Sequence, residues 1–165
     1  MNHSWDNFQF IDYLNVKENE VDNLPDGVTI STITASCKPG LLTDINLDNI
    51  WKYMPLNSDD ILTVKVNNDN IRTLIPKKIK KRRNNKKTVV KKKSKGKFFH
   101  QITIVVRIKQ GEVEDLSKSE KINIKVFRNG SLQMSGINKI SYANRAINKL
   151  IYRLKQSKAK MINKK

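Results

Sequence analysis

The side chains of this chain that could do chemistry are overwhelmingly cationic. Thirteen Lys or Arg and no acid fall within residues 77–97. Lys77, Lys78, Lys80, Lys81, Arg82, Arg83, Lys86, Lys87, Lys91, Lys92 and Lys93 make up most of that block. At such density the chemistry on offer is phosphate contact, in which displaced counterions make affinity for nucleic acid fall steeply with salt. A solvated loop that serves only solubility is the plainer alternative. The run KKIKKRR, Lys77 to Arg83, also has the composition of a nuclear localisation signal. Residues 145–165 add eight basic residues without an acid, whereas residues 1–26 carry six acids against Lys17 alone.

Catalytic and metal-binding sets are not legible. His3, His100 and Cys37 lie far apart, which gives no zinc-ligand spacing. Asp59-Asp60 and Glu114-Asp115 fall in polar turns, where carboxylates are usually solvated. No Gly-rich phosphate loop or nucleophile elbow is present. The reading is therefore a protein without cofactor or metal, and not an enzyme. One cysteine excludes an intramolecular disulfide framework and fits a reducing compartment. No secretory signal or membrane-spanning run is seen, so the expectation is an intracellular protein without membrane contact. A net charge of +18 makes a polyanion the natural partner.

The length, 165 residues, suits one domain with tails and an insert. Residues 1–26, with Trp5, Phe8, Phe10 and Tyr13 among the acids, read as a flexible leader or a docking peptide. Residues 27–157 form the domain, with a disordered basic insert at about 67–97, and 158–165 form a basic tail. Within the domain, Val28 to Cys37 is β-branched and reads as a strand. Asn46 caps a short helix bearing Leu47, Ile50, Trp51 and Met54, which Pro55 ends. Ile61 to Val66 and Gln101 to Lys109 alternate as strands, and Lys121 to Phe127 follows. Asn129-Gly130 predicts a type I′ hairpin turn back into Ser131 to Gly136. Asn138 or Ser141 caps a last helix with Ala143, Ile147, Leu150, Ile151 and Leu154 on one stripe.

The order is β-α-β-β-β-β-α, an α+β class in which two helices cover one face of an antiparallel sheet. Ile122, Ile124, Val126, Leu132 and Met134 are the covered hairpin positions. The open face presents Gln101, Thr103, Val105, Arg107, Asn123, Lys125, Phe127, Ser131, Gln133 and Ser135, a polar and basic surface with one aromatic.

Three segments carry a resemblance. Ile30-Ser31-Thr32-Ile33-Thr34-Ala35-Ser36-Cys37 is similar to the first strand of a TATA-box-binding-protein repeat. Val105-Val106-Arg107-Ile108 is similar to its I-M-R-I strand. Val126-Phe127-Arg128-Asn129-Gly130, running to Ser135-Gly136, is similar to its first hairpin. The resemblance covers roughly residues 28–155, and the Lys/Arg-rich insert resembles the divergent members found in large DNA viruses. It implies one curved repeat whose open face sits on the DNA minor groove with Phe wedges. By position it makes Phe127 a wedge, Arg107 a phosphate contact, and Ile30 and Ser135 groove-facing residues. Phe99 lies on the same strand face as the second wedge position. Lys125 and Gln133 replace apolar groove-facing residues, making this face wetter and more cationic.

The expected function is non-catalytic binding of duplex DNA in transcription initiation, through Phe127, Arg107, Lys125, Ile30, Thr32, Thr103, Val105, Gln133, Ser135, Phe99 and the insert. RNA stays open as a ligand. The alternatives are a basic packaging protein and an adaptor for transcription-machinery proteins. The family joins two repeats; with one here, a homodimer through the Val28–Ser36 edge is the expected substitute. The expected place is the nucleus or a viral replication and transcription compartment, with the virion as a further option.

Overall fold

The computed structural model describes residues 32–38, 45–66, 70–76, 100–109 and 116–156. In chain order these form β1 (Ile33–Cys37), α1 (Leu47–Tyr53), β2 (Ile61–Lys65), β3 (Ile71–Thr73), β4 (Gln101–Arg107), β5 (Lys121–Phe127), β6 (Leu132–Ile137) and α2 (Ile140–Gln156). The strands make one sheet in the order β1-β6-β5-β4-β2-β3, with every neighbouring pair antiparallel. β1 and β3 are its edges.

Period-two alternation builds the buried face. Ile102, Ile104 and Val106 of β4 lie beside Ile122, Ile124 and Val126 of β5, all buried. Leu132 and Met134 of β6 and Val64 of β2 extend the layer. Leu47, Ile50 and Met54 of α1 and Ala143, Ile147, Leu150, Ile151 and Leu154 of α2 close over it as one core. The helical stripe and hairpin positions read from the sequence are therefore the buried ones. Asn46 caps α1 as expected: its Oδ1 accepts from the Asn49 amide at 3.0 Å. For α2, Ser141 falls inside the helix rather than at its cap.

Two further expectations are corrected. β3 occupies part of the stretch assigned to the insert from residue 67, adding a strand to the predicted order. It is held on both sides: Thr63 and Thr73 hydroxyls meet at 2.7 Å, and Arg72 donates to the Trp51 carbonyl while stacking over its ring. The β5–β6 loop is not the two-residue type I′ turn. Gly130 donates to the Phe127 carbonyl and Phe127 to the Ser131 carbonyl, which closes a three-residue loop with Gly130 at φ 83°. Its last position takes the left-handed conformation, and Gly supplies it without a Cβ clash.

Two bulges shape the sheet. Between Ile33/Ile137 and Ala35/Met134, β6 uses one residue more than β1, at Ser135-Gly136, with Gly136 at φ 81°. In β2, Leu62 is the extra residue between the Ile61/Val106 and Thr63/Val105 pairs.

Beside that second bulge lies a buried polar lock. The Asp60 carboxylate, fully buried, accepts from the Ile61 amide at 2.6 Å and from Arg153 Nε of α2. Lys149 Nζ, also fully buried, donates to the carbonyls of Asp59 at 2.9 Å, Arg107 at 3.1 Å and Ile108 at 3.4 Å. These bonds pin α2 to the start of β2 and the end of β4. Burial pushes the Lys149 amine from 10.5 down to about 8, against the opposing pull of Asp60.

Two predictions follow from these backbone and polar constraints. Gly136→Ala has room, since the added Cβ would meet the Lys121 carbonyl oxygen at an ordinary 3.7 Å. Its left-handed φ should nonetheless cost about 1–2 kcal/mol in a urea titration. For Lys149, the folded pKa lies below the unfolded one, so between about 8 and 10.5 the unfolded chain holds more protons. Wild-type stability, measured relative to Lys149→Met by thermal melts, should therefore rise as pH increases through that window, by on the order of 1–3 kcal/mol. Below pH 8 the difference should be flat.

Candidate nucleic-acid interface

The uncovered face of the sheet can be assembled residue by residue from strand register. One row crosses all six strands: Ser36, Gln133, Lys125, Thr103, Lys65 and Ile71. A second row, one pleat along, runs Ser135, Asn123, Val105, Thr63 and Thr73. Neither row contains an acid. With strands about 4.8 Å apart, Lys125 and Lys65 stand two strands and roughly 10 Å from one another. Lys125 is exposed and Lys65 half-buried, so both stems lie on the sheet while their ammonium groups can reach outward.

Most sequence-predicted site residues among the described ones come together here. Thr103, Val105 and Gln133 are half-buried in the rows, and Ser135 is exposed. Phe127 pairs with Gln101 at the end of the same face and is half-buried. It borders a shallow, largely open depression of about 500 Å³ with Ser36, Cys37, Lys38, Ser131, Leu132 and Gln133. Burial pushes the Cys37 thiol up, so its reactive thiolate is disfavoured. Thr32 is exposed just before β1. Ile30, Phe99 and the basic residues from Lys77 to Lys93 lie outside the described residues.

Arg107 is the correction. Its strand parity matches Thr103 and Val105, but its side chain is only 2% exposed. The segment before β2 folds over it: Nη1 donates to the Ser58 carbonyl at 2.9 Å and stands 3.9 Å from Asp59 Oδ1. A guanidinium tied up in this way braces the β2–β4 corner and is not presented to a ligand.

Sequence reasoning missed Lys65, Thr63, Ile71 and Thr73. Lys65 and Thr63 lie on a strand that was recognised but never placed in register, because its neighbour β3 was not. The signal was available: an Asn/Asp cluster at 67–70 separates two β-branched runs, a hairpin composition.

Chemically, the rows offer hydroxyls, amides and two lysine ammonium groups. These are donors for anionic oxygens, with an aromatic depression at one end. Neither row carries a carboxylate, imidazole or thiol group.

Comparison with known proteins agrees with the resemblance drawn from the sequence. The chain is 36% identical over 135 residues to a protein named TATA-box-binding protein-like from Acanthamoeba polyphaga mimivirus. The match takes in 79% of this chain and 32% of the viral protein, so the chain spans about a third of that relative's length. No family model matches the chain, and no solved structure matches it. Over those 135 residues, the chain is a relative of a viral TATA-box-binding protein-like protein.

Proposed function

We propose that this chain is a non-catalytic DNA-binding protein of the TATA-binding type that acts in transcription initiation. The observation that carries the reading is the pair of acid-free rows on the open face, where strand register places Lys125 and Lys65 opposite the helical layer. The name of the viral relative supports the same class. Duplex phosphates meet Lys125 and Lys65, and the hydroxyl and amide side chains between them hydrogen-bond to backbone or base edges. Phe127 presents an apolar edge at the end of the face, and the lysines of residues 77–97 add non-specific attraction. Sequence readout is limited, because a cationic, hydroxyl-rich surface binds the backbone more than it discriminates bases. Transcription-machinery proteins are the partners of such a factor, and the nucleus or a viral transcription compartment its place.

Two copies meet through the β1 edge in this reading. Among the described residues β1 pairs only with β6, so its outer side, along Ile33–Cys37, has no strand partner there and is a template for a second strand. An isologous Val28–Ser36 seam extends one open face into the next. Charge opposes it: each chain carries +18, so association is weakest at low salt.

The face is tested by Lys65→Ala, Lys125→Ala and Phe127→Ala combined, in duplex binding across a salt series. Affinity should fall about tenfold or more at 0.1 M salt, and the log–log salt slope should flatten by about one unit per lost phosphate contact. Lys52→Ala with Lys155→Ala, on the helical layer, should change neither by as much. Unchanged affinity and slope in the triple variant would move the function to the basic block and favour packaging.

The seam is tested by sedimentation at micromolar protein. A mass twice the 19.1 kDa of one chain should appear as salt is raised to 0.3 M. A single-chain mass at every salt concentration removes the dimer.

A further inference from the structure

β3 is too short to hold itself in place. It offers three residues to β2, the lower end of the strand lengths that proteins use. Its middle residue supplies what the length does not. Arg72 pairs with Val64, whose side chain is buried under the helices, so Arg72 points to the helical layer. Ile71 and Thr73, on either side of it, belong to the open face. The Arg72 guanidinium donates to the Trp51 carbonyl and lies 5.8 Å from the centre of the Trp51 ring.

That carbonyl is a prepared acceptor. In a continuing helix it would take the amide hydrogen four residues on, but that residue is Pro55, which has none. The helix closes instead with the Met54 amide on the Ile50 carbonyl. The Trp51 carbonyl would be left over at the negative end of the helix, where a cation is favoured. A planar guanidinium meets the ring and the carbonyl together, which the point charge of a lysine does less well.

The charged residue of the open face that depends on β3 is Lys65. It lies between Ile71 on β3 and Thr103 on β4, whereas Lys125 sits between Gln133 and Thr103 on inner strands. Without β3, Lys65 would stand on a bare sheet edge. Ile71 is one of three large apolar side chains exposed among the described residues. Its place opposite Lys65 gives that exposure a use, because it flanks the half-buried lysine stem.

We infer that Arg72 is a positioning residue for nucleic-acid binding: from the helical side it clamps β3 to α1, and β3 in turn steadies the Lys65 stem on the open face. The inference rests on the proposed function for its ligand. Arg72 points away from that face, so its effect passes through Lys65.

The test is duplex binding across a salt series, with amide hydrogen exchange of the free proteins alongside. The Val66 and Leu74 amides bond to the Asn70 and Leu62 carbonyls across the β2–β3 pair. In Arg72→Ala they should exchange about tenfold faster, while the amides of β4 and β5 should not change. Affinity at 0.1 M salt should fall about threefold, and the log–log slope should flatten by up to about one unit. Lys65→Ala should lose at least as much, and the double variant no more than Lys65→Ala alone, because the two act as one unit. Arg72→Lys should recover part of the loss. Lys52→Ala, which removes a charge from α1 without touching the clamp, should leave exchange and slope near wild type. If Arg72→Ala does not fold, Trp51→Leu, which removes the stacked ring and leaves the backbone carbonyl, carries the same expectations at smaller amplitude. Additive losses in the double variant overturn the inference. So does unchanged exchange at β3, or faster exchange there with a wild-type affinity and slope. A wild-type chain that binds no duplex overturns the proposed function instead, and the clamp on β3 then stands or falls on the exchange rates alone.

Discussion

The apolar side chains of β4 and β5 fall on alternate positions, so the sheet has enough hydrophobic surface for one face only. Ile102, Ile104, Val106, Ile122, Ile124 and Val126 all point to the helices, and the positions between them carry Thr, Val, Asn and Lys. Each buried aliphatic contributes about 1.5–3 kcal/mol relative to exposure, so a one-residue slip in either strand would forfeit several such terms at once. That constraint fixes register across β4, β5 and β6. Register in turn places Lys125 opposite Thr103 and Gln133. The interface is thus the complement of the core: packing decides it, and face residues can change with little effect on the buried layer.

At the β2–β4 corner a different logic holds. Asp60, Arg153, Lys149 and Arg107 are charged groups placed where an apolar core would normally continue. Each is engaged by carbonyls, an amide or an opposite charge, which offsets much of the cost of burying it. The helical layer supplies Arg153 and Lys149, the sheet supplies Arg107, and the turn before β2 supplies Asp60. No local segment could form this lock by itself. It acts as a registry device between α2 and the Leu62 bulge, setting where the last helix lies along the sheet.

Much of this was legible from period and composition. Alternation in Gln101 to Arg107 and Lys121 to Phe127 assigned both faces, and the α2 stripe from Ala143 to Leu154 identified its buried side. What failed did so for tertiary reasons. Parity put Arg107 on the open face correctly, but parity cannot show that the Ser58 carbonyl and Asp59 fold across it. β3 is three residues long, too short for a periodic signal, and its clasp to Trp51 through Arg72 is a contact distant in sequence. The hairpin loop gained a residue because closure at Phe127 and Ser131, not the Asn-Gly pair, decided its length. For the site, Lys125 and Phe127 lay on strands whose placement the sequence supported. Lys65 became visible only once β2 was paired with β4.

The burial of Lys149 also bears on covalent chemistry. Burial is what pushes this amine down to about 8, so the shift lasts only while the amine is enclosed and is lost when the site opens. Its Nζ is enclosed by three backbone carbonyls and has no exposed surface, so an acylating reagent cannot reach it while the fold is intact. In a chain crowded with accessible lysines, Lys149 is therefore an internal clock for opening. Its acylation records the moments when α2 lifts from the sheet, while surface lysines such as Lys125 react whether the protein is open or closed.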